Sequence, residues 1–180
     1  MSTPGANEVL SLIHIYPLDR LIAIEDIRTL KARYFRYVDT KDWDSLAAVF
    51  APDACFDRRG AANVRDPWIG GWTPPLPHGA DVRSGREAIV RMIRDAVENL
   101  RTVHRGYMPE IEILDGATAQ AVWAMEDEIR DIEYRLVVRG SGHYHETYVK
   151  LATGWAIKTA RISRLALVVG AADGGPGRDM

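Results

Sequence analysis

From Thr102 to about residue 168 the chain reads as four strands in succession, and that run constrains the fold more than anything else in it. TVHRGYMPEIEIL is followed by Asp115-Gly116, a tight-turn signal. ATAQAVWAMEDEI then places Ala121, Trp123, Met125 and Asp127 on one face, and Val122, Ala124, Glu126 and Glu128 on the other. A further pair, roughly 134–151 and 154–168, turns at Ala152-Thr-Gly154. Strands joined so closely ladder antiparallel. Such a sheet has an apolar face to bury, and its cover has to come from the first hundred or so residues.

Those residues read as helices. Leu21, Ile24, Ile27, Leu30 and Tyr34 recur at spacings of three and four, one buried helical face. Arg28, Lys31, Arg33 and Arg36 fill the solvated side, and Asp19 is placed to cap the start. Asp42 caps a short second helix carrying Trp43, Leu46, Ala47 and Phe50, which ends before Pro52. ACFD at 54–57 reads as a short strand. Ser84-Gly-Arg-Glu87 has the form of a capping box and opens a third helix with Ile89, Ile93, Ala96/Val97 and Leu100 as its stripe. The expected class is α+β: three helices on one side of a curved, mostly antiparallel sheet. A sheet wrapped around its helices makes a cone with one open mouth, a natural small-molecule pocket.

Residues 58–83 break the pattern. RRGAANVRDPWIGGWTPPLPHGADVR carries four prolines and two tryptophans, and reads as a long loop that serves as a lid, a binding loop or an interface arm. Residues 1–17 read as an N-terminal arm, 18–168 as the cone domain, and 169–180 as a small, polar, disordered tail. A net charge of −2 gives no electrostatic footprint for nucleic acid. No apolar run has the length of a membrane span, and the N-terminus lacks the pattern of a signal peptide, so a cytoplasmic protein is expected. The single cysteine, Cys55, rules out an intrachain disulfide and a multi-cysteine metal site.

The chemistry lies in ionisable groups on apolar faces. His104 sits inside TVHRGY, and Asp127 shares a face with Trp123 and Met125. Strict alternation puts Trp155, Ile157, Thr159, Arg161 and Ser163 on one face, which aims Arg161 at the same interior. Asp39, at the end of the first helix, can join them. A carboxylate bound to an imidazole fixes its tautomer and raises its basicity, a phenol can polarise an oxygen, and an arginine can hold developing negative charge. Each residue also has a plain role as a cap, a core group or a surface charge. Tyr34 and Asp39 lie about 140° apart on an ideal helix, so both face one cavity only if the helix frays or the cavity is wide. His143 and His145 form an HxH pair beside Glu146, but no third ligand stands at a matching position, and no metal is expected.

Together, IEDIRTLKARYFRYVDTKDWDSLAAVFAPDACFD, SGREAIVRMI, TVHRGYMPEIEI and GHYHETYVKLATGWAIKTARISRLAL resemble the SnoaL-like branch of the nuclear transport factor 2 superfamily, over roughly residues 18–168. The resemblance implies the cone fold. The polar set is most similar to that of the bile-acid 7α-dehydratase, scytalone dehydratase and hexachlorocyclohexane dehydrochlorinase group, which implies an Asp–His pair at Asp39 and His104. It implies Tyr34 as the assisting phenol, Asp127 as a second carboxylate, and Arg161 as the arginine, with Arg164 the second choice.

The expected activity is a cofactor-independent lyase, foremost a dehydratase, acting on a hydrophobic cyclic or aromatic small molecule. His104 is the base, Asp39 orients it, and Tyr34, Asp127 and Arg161 assist. Trp68, Trp72, Tyr107, Trp123, His145 and Arg164 are the expected substrate contacts. A carbon–carbon lyase or an isomerase with the same site is the alternative, and a non-catalytic ligand-binding module or small subunit is another. By resemblance the chain is expected to form a homo-oligomer, a trimer ahead of a dimer.

Overall fold

The alternation of the last seventy residues becomes one sheet, and the computed structural model describes residues 17–61, 65–66, 71–72, 82–133 and 135–171. In chain order the elements are α1 (Pro17–Thr40), α2 (Trp43–Ala48), β1 (Phe50–Gly60), β2 (Arg65–Asp66), β3 (Gly71–Trp72) and β4 (Val82–Ser84). They continue as α3 (Arg86–Val97), β5 (Arg101–Ile113), β6 (Thr118–Asp131), β7 (Leu136–Leu151) and β8 (Gly154–Ala171). Six strands form one sheet in the order β4-β1-β8-β7-β6-β5, and β2 pairs with β3 apart from it. The pairing is antiparallel except between β1 and β8, which run parallel. This is the expected α+β arrangement.

α1 covers the inner face of the sheet. Ala23, Ile27, Leu30, Lys31, Tyr34, Phe35 and Val38 are its buried residues. Opposite them stand Trp123, Met125 and Asp127 of β6, Tyr144, Glu146 and Tyr148 of β7, and Ile157, Ala160, Ile162 and Arg164 of β8, all buried. Lys31 corrects the expectation of a solvated side. It lies four residues after Ile27 and three before Tyr34, so it belongs to the buried stripe by position, and its exposure is 0%.

β8 carries two β-bulges, and the first of them decides which of its arginines faces inward. Tyr148 pairs with Ile157 but Thr147 pairs with Thr159, so Lys158 is an extra residue. Gly142 pairs with Arg164 but Ser141 pairs with Ala166, so Leu165 is a second. A one-residue slip sends every following side chain to the other face. The inward set is therefore Ile157, Ala160, Ile162 and Arg164, and Arg161 points out.

Several boundaries differ from expectation: α2 ends at Ala48, and Phe50 instead opens β1, which runs through Pro52 to Gly60 and so extends into the expected loop. Ser84 does not cap α3: it pairs with Cys55 in the ladder of β4 and β1, and α3 starts from Gly85 at φ 90° without a side-chain cap. The Gly85 amide instead donates to the Ala54 carbonyl at 2.8 Å. β8 also runs to Ala171, where Gly170 and Ala171 pair with Val137 and Leu136, beyond the expected start of the tail. The arm over residues 1–16, the tail over 172–180 and Trp68 lie outside the described residues. Of Trp72 only the backbone, in β3, is described. Among the described residues no helix is long and apolar enough to cross a membrane.

Candidate active site

α1 ends at Thr40, and its last full turn delivers Asp39 against β5 without fraying. The Asp39 carboxylate takes three hydrogen bonds there. Oδ1 lies 2.6 Å from Nδ1 of His104 and accepts from the Thr102 hydroxyl at 2.9 Å. Oδ2 accepts from the His104 backbone amide at 2.8 Å. Burial works to raise the Asp39 pKa, but the bonds from His104 outweigh it, and the carboxyl lies below its ordinary range. An ionised carboxylate only accepts, so Nδ1 carries the proton and the lone pair sits on Nε2. Among the described residues Nε2 has no hydrogen-bond partner. The Phe35 ring stacks parallel to the imidazole at 6.3 Å between centroids.

One strand over, Asp127 lies directly across the ladder from His104. Its Oδ2 accepts from Nη2 of Arg164 at 2.6 Å, and Arg164 also donates through Nε to the Ala61 carbonyl at 2.8 Å. The pair fits because Gly140, opposite Asp127 on β7, has no side chain: a Cβ there would stand 2.3 Å from Nη1 of Arg164 and 2.6 Å from Oδ1 of Asp127. That Oδ1 is buried and, among the described residues, without a hydrogen-bond partner. A small opening of about 290 Å³ reaches Asp127 and Gly140 between β6 and β7.

Tyr34 points to β7 rather than to His104. Tyr144 is its neighbour there, and burial, followed by Tyr144, pushes the Tyr34 pKa well above the ordinary value. The ring stands edge-on to Phe35 at 5.5 Å and to Tyr144 at 6.0 Å. Tyr34 and Asp39 thus reach the inner face at separate places. The expected 140° is met by two different strands, not by one shared contact.

Deeper along α1, the Lys31 ammonium meets Oε1 of Glu146 at 2.6 Å, both side chains being closed off from solvent. Glu146 also accepts from the Tyr148 hydroxyl, which accepts from Nε1 of Trp123 at 2.8 Å. The Tyr144 ring lies 3.5 Å from the ammonium, and those of Tyr34 and Phe35 at 4.3 and 4.7 Å. Burial lowers the Lys31 pKa against the pull of Glu146. Lys31 and Glu146 were not among the expected site residues. Tyr144, Glu146 and Tyr148 share a phase, so the tyrosines flanking Glu146 carried the signal.

Three expected residues are not brought to this face. Arg161 is exposed on the outer side, paired in register with His145 and Asp57. His145 is on that side too, with Nε2 2.9 Å from the Ser163 hydroxyl, and burial, then Arg161 and His143, depress its pKa. The Tyr107 hydroxyl donates to Glu126 at 3.0 Å, again outside. A cavity of about 670 Å³ opens there, lined by Asp57, Glu110, His145 and Arg161 among others. Neither Asp39 nor His104 borders it.

The helix-end carboxylate of Asp39 is thus bonded to a strand imidazole, and a buried Asp127–Arg164 pair lies on the strands beyond it. The chain belongs to the SnoaL-like domain family, which matches residues 19–161, and has the nuclear transport factor 2-like fold. A probable cyclase of Gibberella zeae is 24% identical over 144 residues, 77% of this chain and 89% of that protein. Among solved structures, a type 2 hexachlorocyclohexane dehydrochlorinase, LinA, superposes with a TM-score of 0.72 at 15% identity, over 92% of this chain and 100% of that one. A scytalone dehydratase-like protein from Novosphingobium aromaticivorans gives 0.70 at 18% identity, over 91% and 100%.

Proposed function

We propose that the protein is a cofactor-independent lyase, foremost a dehydratase, acting on a hydrophobic cyclic or aromatic small molecule in a cone-like interior. The observation that carries this reading is the 2.6 Å contact between Nδ1 of His104 and Asp39, which leaves Nε2 as the basic nitrogen. Nε2 removes a proton from a carbon next to an electron-withdrawing group. The C–H electron pair forms the new double bond, and the hydroxyl on the neighbouring carbon leaves as water once protonated. The imidazolium so formed is stabilised by Asp39 and supplies that proton. Asp127, through its unpartnered Oδ1, accepts a substrate hydroxyl, and Arg164 takes the part expected of Arg161 by holding that carboxylate and nearby negative charge. The Tyr34–Tyr144 pair stays protonated and polarises a substrate oxygen. Trp123 lines the wall.

The curated relative's name favours a second reading, in which the same base serves carbon–carbon bond formation or cleavage. Incubation with a panel of hydroxysteroids and aromatic hydroxy compounds, with product analysis, separates the two. Loss of water marks a dehydratase, and a ring closed or a fragment released marks the alternative. His104→Ala should lower turnover by about 10²–10⁴-fold while staying folded; turnover at the wild-type rate refutes the site. Assembly as a homo-oligomer, a trimer ahead of a dimer, belongs to the same proposal, and light scattering of the purified protein reads the number directly.

A further inference from the structure

α1 ends in an unusual way for its purpose. The Asp42 amide donates to the Tyr37 carbonyl at 2.9 Å and the Lys41 amide to that of Val38 at 3.3 Å, the two bonds of a Schellman close. The residue that makes this turn sits in the left-handed region, where glycine costs least, yet here it is Lys41 at φ 62°. Its side chain turns back on the site: Nζ donates to the Thr102 hydroxyl at 3.0 Å, and that hydroxyl donates to Oδ1 of Asp39 at 2.9 Å. Oδ1 is also the oxygen bonded to His104. Thr102 is buried, so this hydroxyl has little alternative in water.

We infer that Lys41 and Thr102 are positioning residues that carry a positive charge to the back of the Asp39–His104 pair, and that the strained turn is kept because only a long cationic side chain at that point reaches Thr102. The inference rests on the acid/base reading of the pair and assigns a setting for its proton. A cation behind the carboxylate keeps Asp39 ionised, so Asp39 orients His104 without competing for the proton that Nε2 gains. Burial depresses the Lys41 pKa while Asp39 pulls it back up, as expected of an ammonium drawn into the site.

The groups facing Asp39 are few. β5 presents His104 and Thr102, and the helix end presents Lys41. From α2 the Trp43 ring stands 6.0 Å from the Lys41 ammonium. Asp42 turns its carboxylate away to accept from the Ser45 amide at 3.1 Å, and Asp127 on β6 is held by Arg164.

The test needs no substrate. With aspartate labelled at the carboxyl carbon, the Asp39 resonance is assigned by its loss in Asp39→Asn and followed against pH. Lys41→Met, Lys41→Gly and Thr102→Val should each move the Asp39 titration upward by about half a pH unit or more. Lys41→Arg should keep it at the wild-type position, because the charge is restored. The upward shift in Lys41→Gly should come with an unchanged or raised Tm, since glycine relieves the left-handed strain. Wild-type titration in Lys41→Met and Lys41→Gly overturns the inference. So does a shift in Lys41→Arg as large as in Lys41→Met, or a shift in Lys41→Gly that comes only with a fallen Tm. Failure of the lyase reading shows separately, as no turnover of any panel compound while these titrations move as stated.

Discussion

The inner face of the sheet holds two polar clusters, and they are built to opposite specifications. The deeper one, Lys31–Glu146–Tyr148–Trp123, is closed: each polar atom named in it has a partner, and the ammonium is roofed by three aromatic rings. The other, Asp39–His104 with Asp127–Arg164, is left open among the described residues at Nε2 of His104 and Oδ1 of Asp127. A satisfied buried network fixes a fold, whereas atoms left free in a low-dielectric interior are available to a ligand. Burial alone therefore does not mark the site. Unspent hydrogen-bonding capacity does.

Breaking one partner of the closed cluster should give the largest effect. Lys31→Met leaves Glu146 charged, buried and short of a donor, and should cost about 3–5 kcal/mol in urea unfolding. The double variant Lys31→Met/Glu146→Leu should recover much of that loss, because an apolar pair needs no compensation. If the single variant costs under about 1 kcal/mol, the cluster is wetter than its geometry indicates and the contrast with the open site fails.

The open cluster should answer to pH where the closed one does not. Asp39 is held below its ordinary pKa, so its bonds stabilise the folded state above about pH 4 and are lost as pH falls through the lower, folded value. Asp39→Asn should therefore flatten part of the acid limb of a Tm-against-pH curve. The difference from wild type should be largest above that window and vanish below it. A gap of equal size at all pH values would show that Asp39 contributes by packing and not by charge. Trp123→Phe, which removes one neutral donor from the closed cluster, should cost about 1 kcal/mol and leave the acid limb unchanged.

The parts of this arrangement differ in how plainly the sequence spells them. Helix and strand order follows from periods of 3.6 and 2, whereas the pairing of Asp39 with His104 is implied by the family resemblance and not by any period. Lys31 was obscured by its charge: a lysine in a helix of arginines reads as solvated, although it sits between Ile27 and Tyr34 on the buried stripe. Glu146 was hidden in the same way by the adjacent HxH pair. The Pro- and Trp-rich stretch over 58–83 carries neither period, so its sequence points to no face and no partner.

The smallest predicted effect is the most discriminating, because it turns on one inserted residue. Up to Ile157, β8 alternates with its odd-numbered residues inward, and an unbroken strand would turn Arg161 to the inner face. The extra residue at Lys158 switches the phase, and the apolar positions Ala160 and Ile162 already show it in the sequence. Arg161→Ala should then change stability by no more than about 0.5 kcal/mol and leave turnover near wild type, as expected of an exposed arginine on the outer face. Arg164→Met, by contrast, strips Asp127 of its buried ion-pair partner and should be destabilising by several-fold more. Unfolding curves and rates measured on the two variants side by side test the register itself. An Arg161 variant that loses activity while Arg164→Met keeps it would mean that the strand runs without the bulge and that the open cluster has been assembled from the wrong arginine.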